Sequence, residues 1–190
     1  MSFFRLVPNL TIIAPKDFKE LEEILEFAIS LNSPVVIRYP RGGESEIKMI
    51  KQDKVELGKC EILQYGKDIT ILAIGKMVSK ALEVSEKLKT FEINTEVINA
   101  RFLKPFDVES IVESIKKNKN VITIEDGTSI NGLGTAVKEL IIEKKLKNIK
   151  FKSFAYPDKY IEHGEVDELE KIYELDVDKI VSDIRKDYDG

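Results

Sequence analysis

Residues 10–43 read LTIIAPKDFKELEEILEFAISLNSPVVIRYPRGG and hold two short apolar runs with a helical pattern between them. Residues 10–14 predict a strand that Pro15 ends. Asp17 has the residue type and position of a helix N-cap, with Glu20 three residues on as its capping-box partner. Apolar residues then share one helical face (Leu21, Ile24, Leu25, Ala28), and Val35–Ile37 predicts a second strand. Strand, helix and strand in this order are typical of a parallel crossover unit.

The rest of the chain repeats the same alternation. Apolar runs predict strands at residues 60–64, 69–74, 95–98, 121–124 and 149–154. Helical periodicity falls between them, at residues 78–88, 108–115 and 133–141, and two short helical patterns follow at 166–173 and 177–184. Such alternation predicts an α/β fold of three layers, with helices covering a mostly parallel sheet.

The composition changes at residues 42–58, which are polar, begin with Gly-Gly and have no sustained periodicity. We therefore expect a first unit at residues 1–43, a linker at 44–58 and a second domain at 59–190. A lone strand–helix–strand unit cannot cover both faces of its sheet. Either it packs on the second domain, or its remaining strands lie on a segment outside this chain.

Charge and cysteine content exclude several classes of function. The 34 acidic residues exceed the 30 basic ones, so no basic surface for nucleic acid is expected. Cys60 is the only cysteine, which excludes an internal disulfide and a cysteine-based metal cage and fits the cytoplasm. No apolar run approaches the ~20 residues of a membrane span.

Two arginines follow the second predicted strand. Arg38 and Arg41 lie on either side of Tyr39 and Pro40, and two glycines come next. Pro40 fixes its own φ and biases Tyr39 toward extended geometry. Ligands of open α/β folds lie beyond the carboxyl ends of parallel strands, and the planar guanidinium suits phosphate or carboxylate. The pattern indicates an anion clamp. The alternative is that both arginines pair with acidic side chains at a surface.

The stretch EDGTSINGLGTAV, residues 125–137, joins a predicted strand to a predicted helix. Gly132 and Gly134 leave amides near the helix start, where an anion could bind. The spacing does not match a dinucleotide fingerprint, because the third glycine position is Val137. We favour a tight, closely packed strand-to-helix turn.

Other polar residues are interpreted structurally. Arg101 and Lys104 follow a strand and could form a second anion site, but pairing of Arg101 with an acid is favoured. Asp107 is expected to cap a helix. The only histidine, His163, precedes Gly164 in a loop, and we assign it no catalytic role. Cys60 is expected to be a small buried hydrophobe.

Several blocks, taken together and in order, resemble one enzyme family. They are PNLTIIAPKDFKELEEIL, SPVVIRYPRGG, DITILAIGKMVSKALEVSEKL, INTEVINARFLKPFD, VITIEDGTSINGLGTAVKEL and YPDKYIEHG. They cover nearly the whole chain and are similar to the C-terminal part of the 1-deoxy-D-xylulose-5-phosphate synthases, thiamine-diphosphate enzymes of the transketolase superfamily. The resemblance implies that residues 1–43 are the tail of a pyrimidine-binding domain and that 59–190 are a transketolase C-terminal domain.

The resemblance also implies a function. The family condenses pyruvate with D-glyceraldehyde 3-phosphate, releases carbon dioxide, and supplies isoprenoid and thiamine biosynthesis. By this resemblance Arg41 first, and Arg38 second, would bind the phosphate of the triose, and no residue here would be catalytic. A transketolase, or the β subunit of a 2-oxoacid dehydrogenase, fits the RYPRG and IEHG blocks less well.

The family's thiamine diphosphate and Mg²⁺ sites lie upstream of RYPRG, and no GDG…N-type metal motif occurs in this chain. The resemblance therefore implies a cytoplasmic fragment that is inactive alone, binds no cofactor by itself and needs the missing N-terminal portion as a partner. Homodimers are also implied. The rival interpretation is a stand-alone binding or assembly module.

Overall fold

The computed structural model describes residues 2–39 and 54–189, in which it places eight strands and six α-helices. A short 3-10 helix, Ser2–Leu6, precedes them. The strands are β1 (Thr11–Ile13), β2 (Val35–Ile37), β3 (Glu61–Gln64), β4 (Ile69–Ala73), β5 (Thr95–Asn99), β6 (Phe102–Lys104), β7 (Asn120–Thr128) and β8 (Lys150–Tyr156). The helices are α1 (Phe18–Ser30), α2 (Met77–Lys89), α3 (Val108–Asn118), α4 (Leu133–Glu143), α5 (Val166–Ile172) and α6 (Val177–Asp189).

Five strands form the main sheet in the order β3-β5-β4-β7-β8. The pairs β4–β5, β4–β7 and β7–β8 are parallel, and only the pairing of β3 with β5 is antiparallel among them. Every residue of the central strand β4 is buried, because helices cover both faces of a parallel sheet. Residues of α2 and α6 pack in one apolar cluster and residues of α3 and α4 in another. The predicted α/β fold with a mostly parallel, three-layer sheet is confirmed.

A second, three-stranded sheet joins the beginning of the chain to the rest. Its order is β2-β1-β6, with β1 parallel to β2 and antiparallel to β6. Leu10, Ile12 and Ala14 lie in the same buried cluster as Leu72 and Leu103. Of the two arrangements that the sequence leaves open, packing of the first unit on the second domain is therefore observed.

Helix α1 begins as predicted. The Asp17 side chain accepts a hydrogen bond from the Glu20 backbone N–H at 2.7 Å. The Glu20 carboxylate does not close the capping box on the Asp17 N–H in the expected way; it accepts the Lys16 N–H at 2.6 Å and enters a buried group of charges. In this buried position the Glu20 carboxylate reaches the N–H of Lys16, one residue before the N-cap N–H that a capping box uses.

The apolar face of α1 is only partly covered by the described residues. Ile24 is fully buried, whereas Leu25 is half-exposed and Ile29 is 85% exposed. A small cluster beneath the helix contains Ile13, Ile24, Val55 and Phe102. Most of the predicted linker, residues 44–53, lies outside the described residues. No helix in the described ranges combines the length and apolar character needed to cross a bilayer.

Candidate functional site

Arg38 lies directly after β2, where the parallel arrangement places the carboxyl ends of strands. Its backbone N–H donates to the Ile13 carbonyl at 2.9 Å. Its Nη2 donates to the Asp126 carbonyl oxygen and lies 3.1 Å from Asp126 Oδ2. The side chain stays 33% exposed. The structure thus gives Arg38 an acidic partner and also access to solvent, while Arg41 lies outside the described residues. Phosphate binding by either arginine stays a prediction.

Asp126 also contacts a lysine that the sequence interpretation missed. Lys76 Nζ lies 3.4 Å from the same Asp126 Oδ2, and 3.9 Å from Glu170 Oε1. Lys76 follows β4 and Asp126 lies near the end of β7, so both belong to the carboxyl edge of the sheet. The rule that places ligands at this edge would have singled out both residues if it had been applied to every strand.

The neighbouring Tyr156 has a phenol that stays protonated. Burial first, and then the charges of Asp126 and Glu170, raise the pKa of Tyr156 to about 12. Its ring packs edge-on against Tyr173, with centroids 5.5 Å apart. The carboxylates of Asp126 and Glu170 thus lie close enough to Tyr156 to disfavour its ionised form.

The glycine-rich turn holds the protein's own carboxylate at the start of α4. The Glu125 side chain accepts from the backbone N–H groups of Leu133 and Gly134, each at 2.9 Å. Burial raises the pKa of Glu125. A Cβ at Gly134 would lie 2.3 Å from Ser153 Oγ. The observed contacts match the favoured interpretation, a closely packed turn. The backbone N–H groups of Leu133 and Gly134, which an external anion would need, already donate to Glu125.

Arg101 belongs to a buried ionic cluster. Its Nε lies 2.7 Å from Glu20 Oε1 and its Nη2 3.5 Å from Glu61 Oε2. Lys16 Nζ lies 2.8 Å from the same Glu61 oxygen, and the Asn99 amide donates to Glu20 Oε1 at 3.0 Å. All of these side chains are buried. Structural pairing of Arg101, which the sequence favoured, is observed.

The remaining candidates also have structural surroundings. Lys104 Nζ donates to the Val7 carbonyl at 2.6 Å. Asp107 caps α3 by accepting the Ser110 N–H at 3.2 Å, and it accepts the Cys60 N–H at 3.1 Å. Burial and then the charge of Asp107 raise the pKa of the Cys60 thiol to about 12. His163 is exposed in the loop before α5.

Within residues 2–39 and 54–189, no group of three or more His, Cys, Asp or Glu side chains is arranged to hold a metal ion. Absence of cofactor binding by the isolated chain stays a prediction.

Comparisons with known proteins give the class. Residues 58–180 match the family described as transketolase, C-terminal domain, and residues 1–43 match the transketolase pyrimidine-binding domain. The chain therefore belongs to the transketolase family: it carries the C-terminal domain preceded by part of the pyrimidine-binding domain. More particularly, it is homologous to the C-terminal portion of the 1-deoxy-D-xylulose-5-phosphate synthases.

The similarity to these synthases extends over nearly the whole chain. This chain is 42% identical to the synthase of Caldanaerobacter subterraneus subsp. tengcongensis over 188 residues, which is 99% of the chain. The chain is 43% identical to the synthase of Dictyoglomus thermophilum over 185 residues, which is 97% of the chain. In both cases the chain spans 30% of the length of the relative.

Two solved structures resemble the fold. One is described as a split gene transketolase, inactive beta4 tetramer; it has a TM-score of 0.87 and 31% identity, over 97% of this chain and 60% of that chain. The other, a transketolase from Campylobacter jejuni, has a TM-score of 0.69 and 19% identity, over 97% of this chain and 27% of that one. The second likeness concerns the fold alone.

Proposed function

We propose that this chain is the C-terminal part of a 1-deoxy-D-xylulose-5-phosphate synthase, which joins pyruvate to D-glyceraldehyde 3-phosphate with loss of carbon dioxide. The observation that carries the proposal is the 42% identity to such a synthase over 99% of the chain. The partly exposed guanidinium of Arg38, at the carboxyl end of β2, supports it from the geometry. The product would serve isoprenoid and thiamine biosynthesis.

The contribution of this chain to catalysis is recognition of the acceptor substrate. Arg41, aided by Arg38, binds the phosphate of the triose. A guanidinium offers paired N–H donors that match the phosphate oxygens. The fixed backbone of Arg38, bonded to Ile13, holds the start of the side chain while its tip is free to exchange partners.

Thiamine diphosphate, when bound to the whole enzyme, supplies the carbanion chemistry that removes carbon dioxide from pyruvate. The described residues include no group of three or more His, Cys, Asp or Glu side chains arranged to hold a metal ion. By its likeness to the C-terminal part of these synthases, the isolated chain is inactive, and its partner is the N-terminal portion of the same kind of enzyme, in the cytoplasm.

The surface of the first unit supports such a partner. Among the described residues β2 pairs only with β1, so no described strand covers its outer edge. Ile29 and Phe18, near the two ends of α1, are exposed. Exposed strand edges and apolar side chains favour association, so further strands of the pyrimidine-binding domain would find matching contacts here.

A chimera tests the proposal. The part of the Caldanaerobacter synthase that precedes its match to this chain is fused to residues 1–190, and product formation from pyruvate and D-glyceraldehyde 3-phosphate is measured with thiamine diphosphate and Mg²⁺. We expect 1-deoxy-D-xylulose 5-phosphate from the chimera and none from either part alone. A folded chimera that binds the cofactor and makes no product would contradict the proposal.

Arginine variants of the chimera test the site. Arg41→Met and Arg38→Met should raise KM for the triose phosphate, Arg41→Met more strongly, with little change in KM for pyruvate. Arg185→Met is the control, because that guanidinium stacks on Phe91 at the opposite end of α2 from Lys76. If KM for the triose phosphate were the same in all three variants, neither Arg38 nor Arg41 would bind the phosphate.

A second candidate function, an assembly module, is favoured by one observation. The similar split gene transketolase is described as an inactive beta4 tetramer. If this chain assembles in the same way, light scattering of the isolated chain will give a mass of several copies. A monomer at every concentration would remove this candidate and leave the synthase proposal unaffected.

A further inference from the structure

One carboxylate at the carboxyl edge of the main sheet serves two cations. Asp126 Oδ2 lies 3.1 Å from Arg38 Nη2 and 3.4 Å from Lys76 Nζ. Since both nitrogens contact one oxygen, they can be no farther apart than these two distances together. Two donors that close can share a single tetrahedral oxyanion as well as a single carboxylate.

The two cations are held differently at this carboxylate. Arg38 has a second contact to Asp126, because its Nη2 also donates to the Asp126 carbonyl oxygen. Lys76 has a second carboxylate within reach, Glu170 Oε1 at 3.9 Å, while Lys80 also contacts Glu170 and donates to the Leu175 carbonyl at 2.9 Å. The three cations of this group share the carboxylates of Asp126 and Glu170, and the charge of Arg38 also acts on the nearby Glu125 carboxylate.

We propose that Asp126 is a positioning residue that holds the Arg38 guanidinium in readiness, and that Lys76 takes over the Asp126 carboxylate when Arg38 turns to a phosphate. The ligand class is a phosphate monoester or free phosphate. Its identity as a triose phosphate rests on the proposed function; the exchange of partners does not.

The exchange follows from burial and charge. Asp126 is only 19% exposed, and leaving such a carboxylate without a partner costs free energy. If Lys76 were absent, movement of Arg38 to a phosphate would leave the Asp126 carboxylate without a cation. Phosphate would then bind more weakly. With Lys76 present the carboxylate keeps a cation throughout. The hydrogen bond from Arg38 Nη2 to the Asp126 carbonyl oxygen does not involve the carboxylate, so the carboxylate can change partners while the guanidinium stays close to the site.

The test is a titration of the isolated chain with inorganic phosphate and with glycerol 3-phosphate, followed by the NMR shift of the arginine Nε–H groups. The set of variants is Asp126→Asn, Lys76→Met, the double variant and Arg38→Met. Lys138→Met is the matched control, because its ammonium group lies over the Phe151 ring, 5.2 Å from the centroid. The NMR spectrum of each variant also reports whether it is folded, and Lys76→Gln replaces Lys76→Met if the latter is not.

We expect Asp126→Asn to tighten phosphate binding about three- to fivefold, and Lys76→Met to weaken it by a similar factor, as for the loss of a partly exposed ion pair. In the Asp126→Asn background the Lys76→Met change should have no further effect. Arg38→Met should weaken phosphate binding and remove the effects of the Asp126→Asn and Lys76→Met changes, and Lys138→Met should leave the response unchanged.

Three results would overturn the inference: no phosphate response in the starting chain, no gain in Asp126→Asn, or an equal loss from Lys76→Met in both backgrounds. The last result would mean that Lys76 contacts phosphate directly. The titration requires neither cofactor nor turnover. A chimera that makes no product would therefore refute the proposed synthase while leaving this exchange of partners intact.

Discussion

Gly132 leaves no room for a side chain. A Cβ there would lie 2.1 Å from Glu125 Oε2 and 2.7 Å from Glu125 Cδ. Because Glu125 is buried and accepts two backbone hydrogen bonds at the start of α4, it cannot move aside without losing them. A glycine is therefore needed at position 132 for a steric reason that the spacing of glycines in the sequence does not reveal.

We predict that Gly132→Ala lowers the free energy of unfolding by about 2 kcal/mol, the cost of leaving a buried polar group poorly satisfied. Urea denaturation measures the change. Gly164→Ala is the control, because the nearest atoms to a Cβ there belong to the Leu169 side chain, at 3.3 Å or more, and not to Glu125. Equal losses for the two variants would show that the Glu125 contact is not the cause.

A second prediction concerns Cys60. Burial and the Asp107 charge raise its thiol pKa from 9.0 to about 12, so the thiolate fraction at about pH 8 falls roughly a thousandfold. The thiol should react far more slowly with a thiolate-specific reagent in the native chain than in urea. Asp107→Asn keeps a good helix cap and removes the charge, so it should speed the reaction. Rates that are equal before and after unfolding would contradict this prediction.

At the residue level, the sequence indicated which side chains would form ion pairs better than it indicated the residues with which they pair. It favoured an acid for Arg101 but could not name Glu20 and Glu61, which lie far away in the chain. It singled out Arg38 but missed Asp126, because a carboxylate inside a glycine-rich turn was interpreted only as part of the turn. Such pairs depend on how strands are ordered in the sheet, and no local pattern encodes that order.

Among the elements, α1 leaves three large apolar side chains exposed, Phe18, Leu25 and Ile29, so little packing supports it and its N-cap should matter. The cap is the hydrogen bond from the Glu20 N–H to Asp17 Oδ1 at 2.7 Å. We predict that Asp17→Ala destabilises the chain by about 1 kcal/mol, whereas Asp17→Asn keeps the acceptor and most of the stability. Thermal or urea denaturation measures both. An unchanged Asp17→Ala variant would show that α1 already unfolds locally at lower cost.

The helices and long strands were predicted closely, since apolar periodicity reports burial directly. Strand β6 was not predicted. It has only three residues and follows Arg101, whose φ of 54° lies in the left-handed region. Its partner, β1, precedes it by some ninety residues of sequence, so only the folded chain reveals the pairing.

For the whole molecule, the buried ionic cluster connects the two sheets. Lys16 and Glu20 come from the first unit, and Glu61 and Arg101 from the second domain. Two ion pairs cross the junction: Lys16 Nζ lies 2.8 Å from Glu61 Oε2, and Arg101 Nε lies 2.7 Å from Glu20 Oε1. Charges buried in this way depend on one another, because the loss of one member leaves the others without compensation.

We predict that Glu20→Gln lowers the free energy of unfolding by about 3 kcal/mol or more, because the carboxylate shared by Lys16 and Arg101 is lost. The transition should remain single when it is followed by circular dichroism and by tyrosine fluorescence. Glu22→Gln, on the exposed side of α1, is the control and should change stability by less than about 0.5 kcal/mol. Two separate transitions in the unaltered chain would show that the sheets unfold independently.

The pairing of β1 with β6 has a consequence for motion. Main-chain bonds tie the first unit to the second domain on both sides of the junction: Ile12 and Ile13 pair with β6, and the Ala14 N–H donates to the Arg101 carbonyl at 2.9 Å. These bonds leave no hinge between β1 and β6 in the described part of the chain, so we expect the two strands to move as one body. If the proposed synthase closes around its substrate, we expect the movement to come from elements other than β1 and β6.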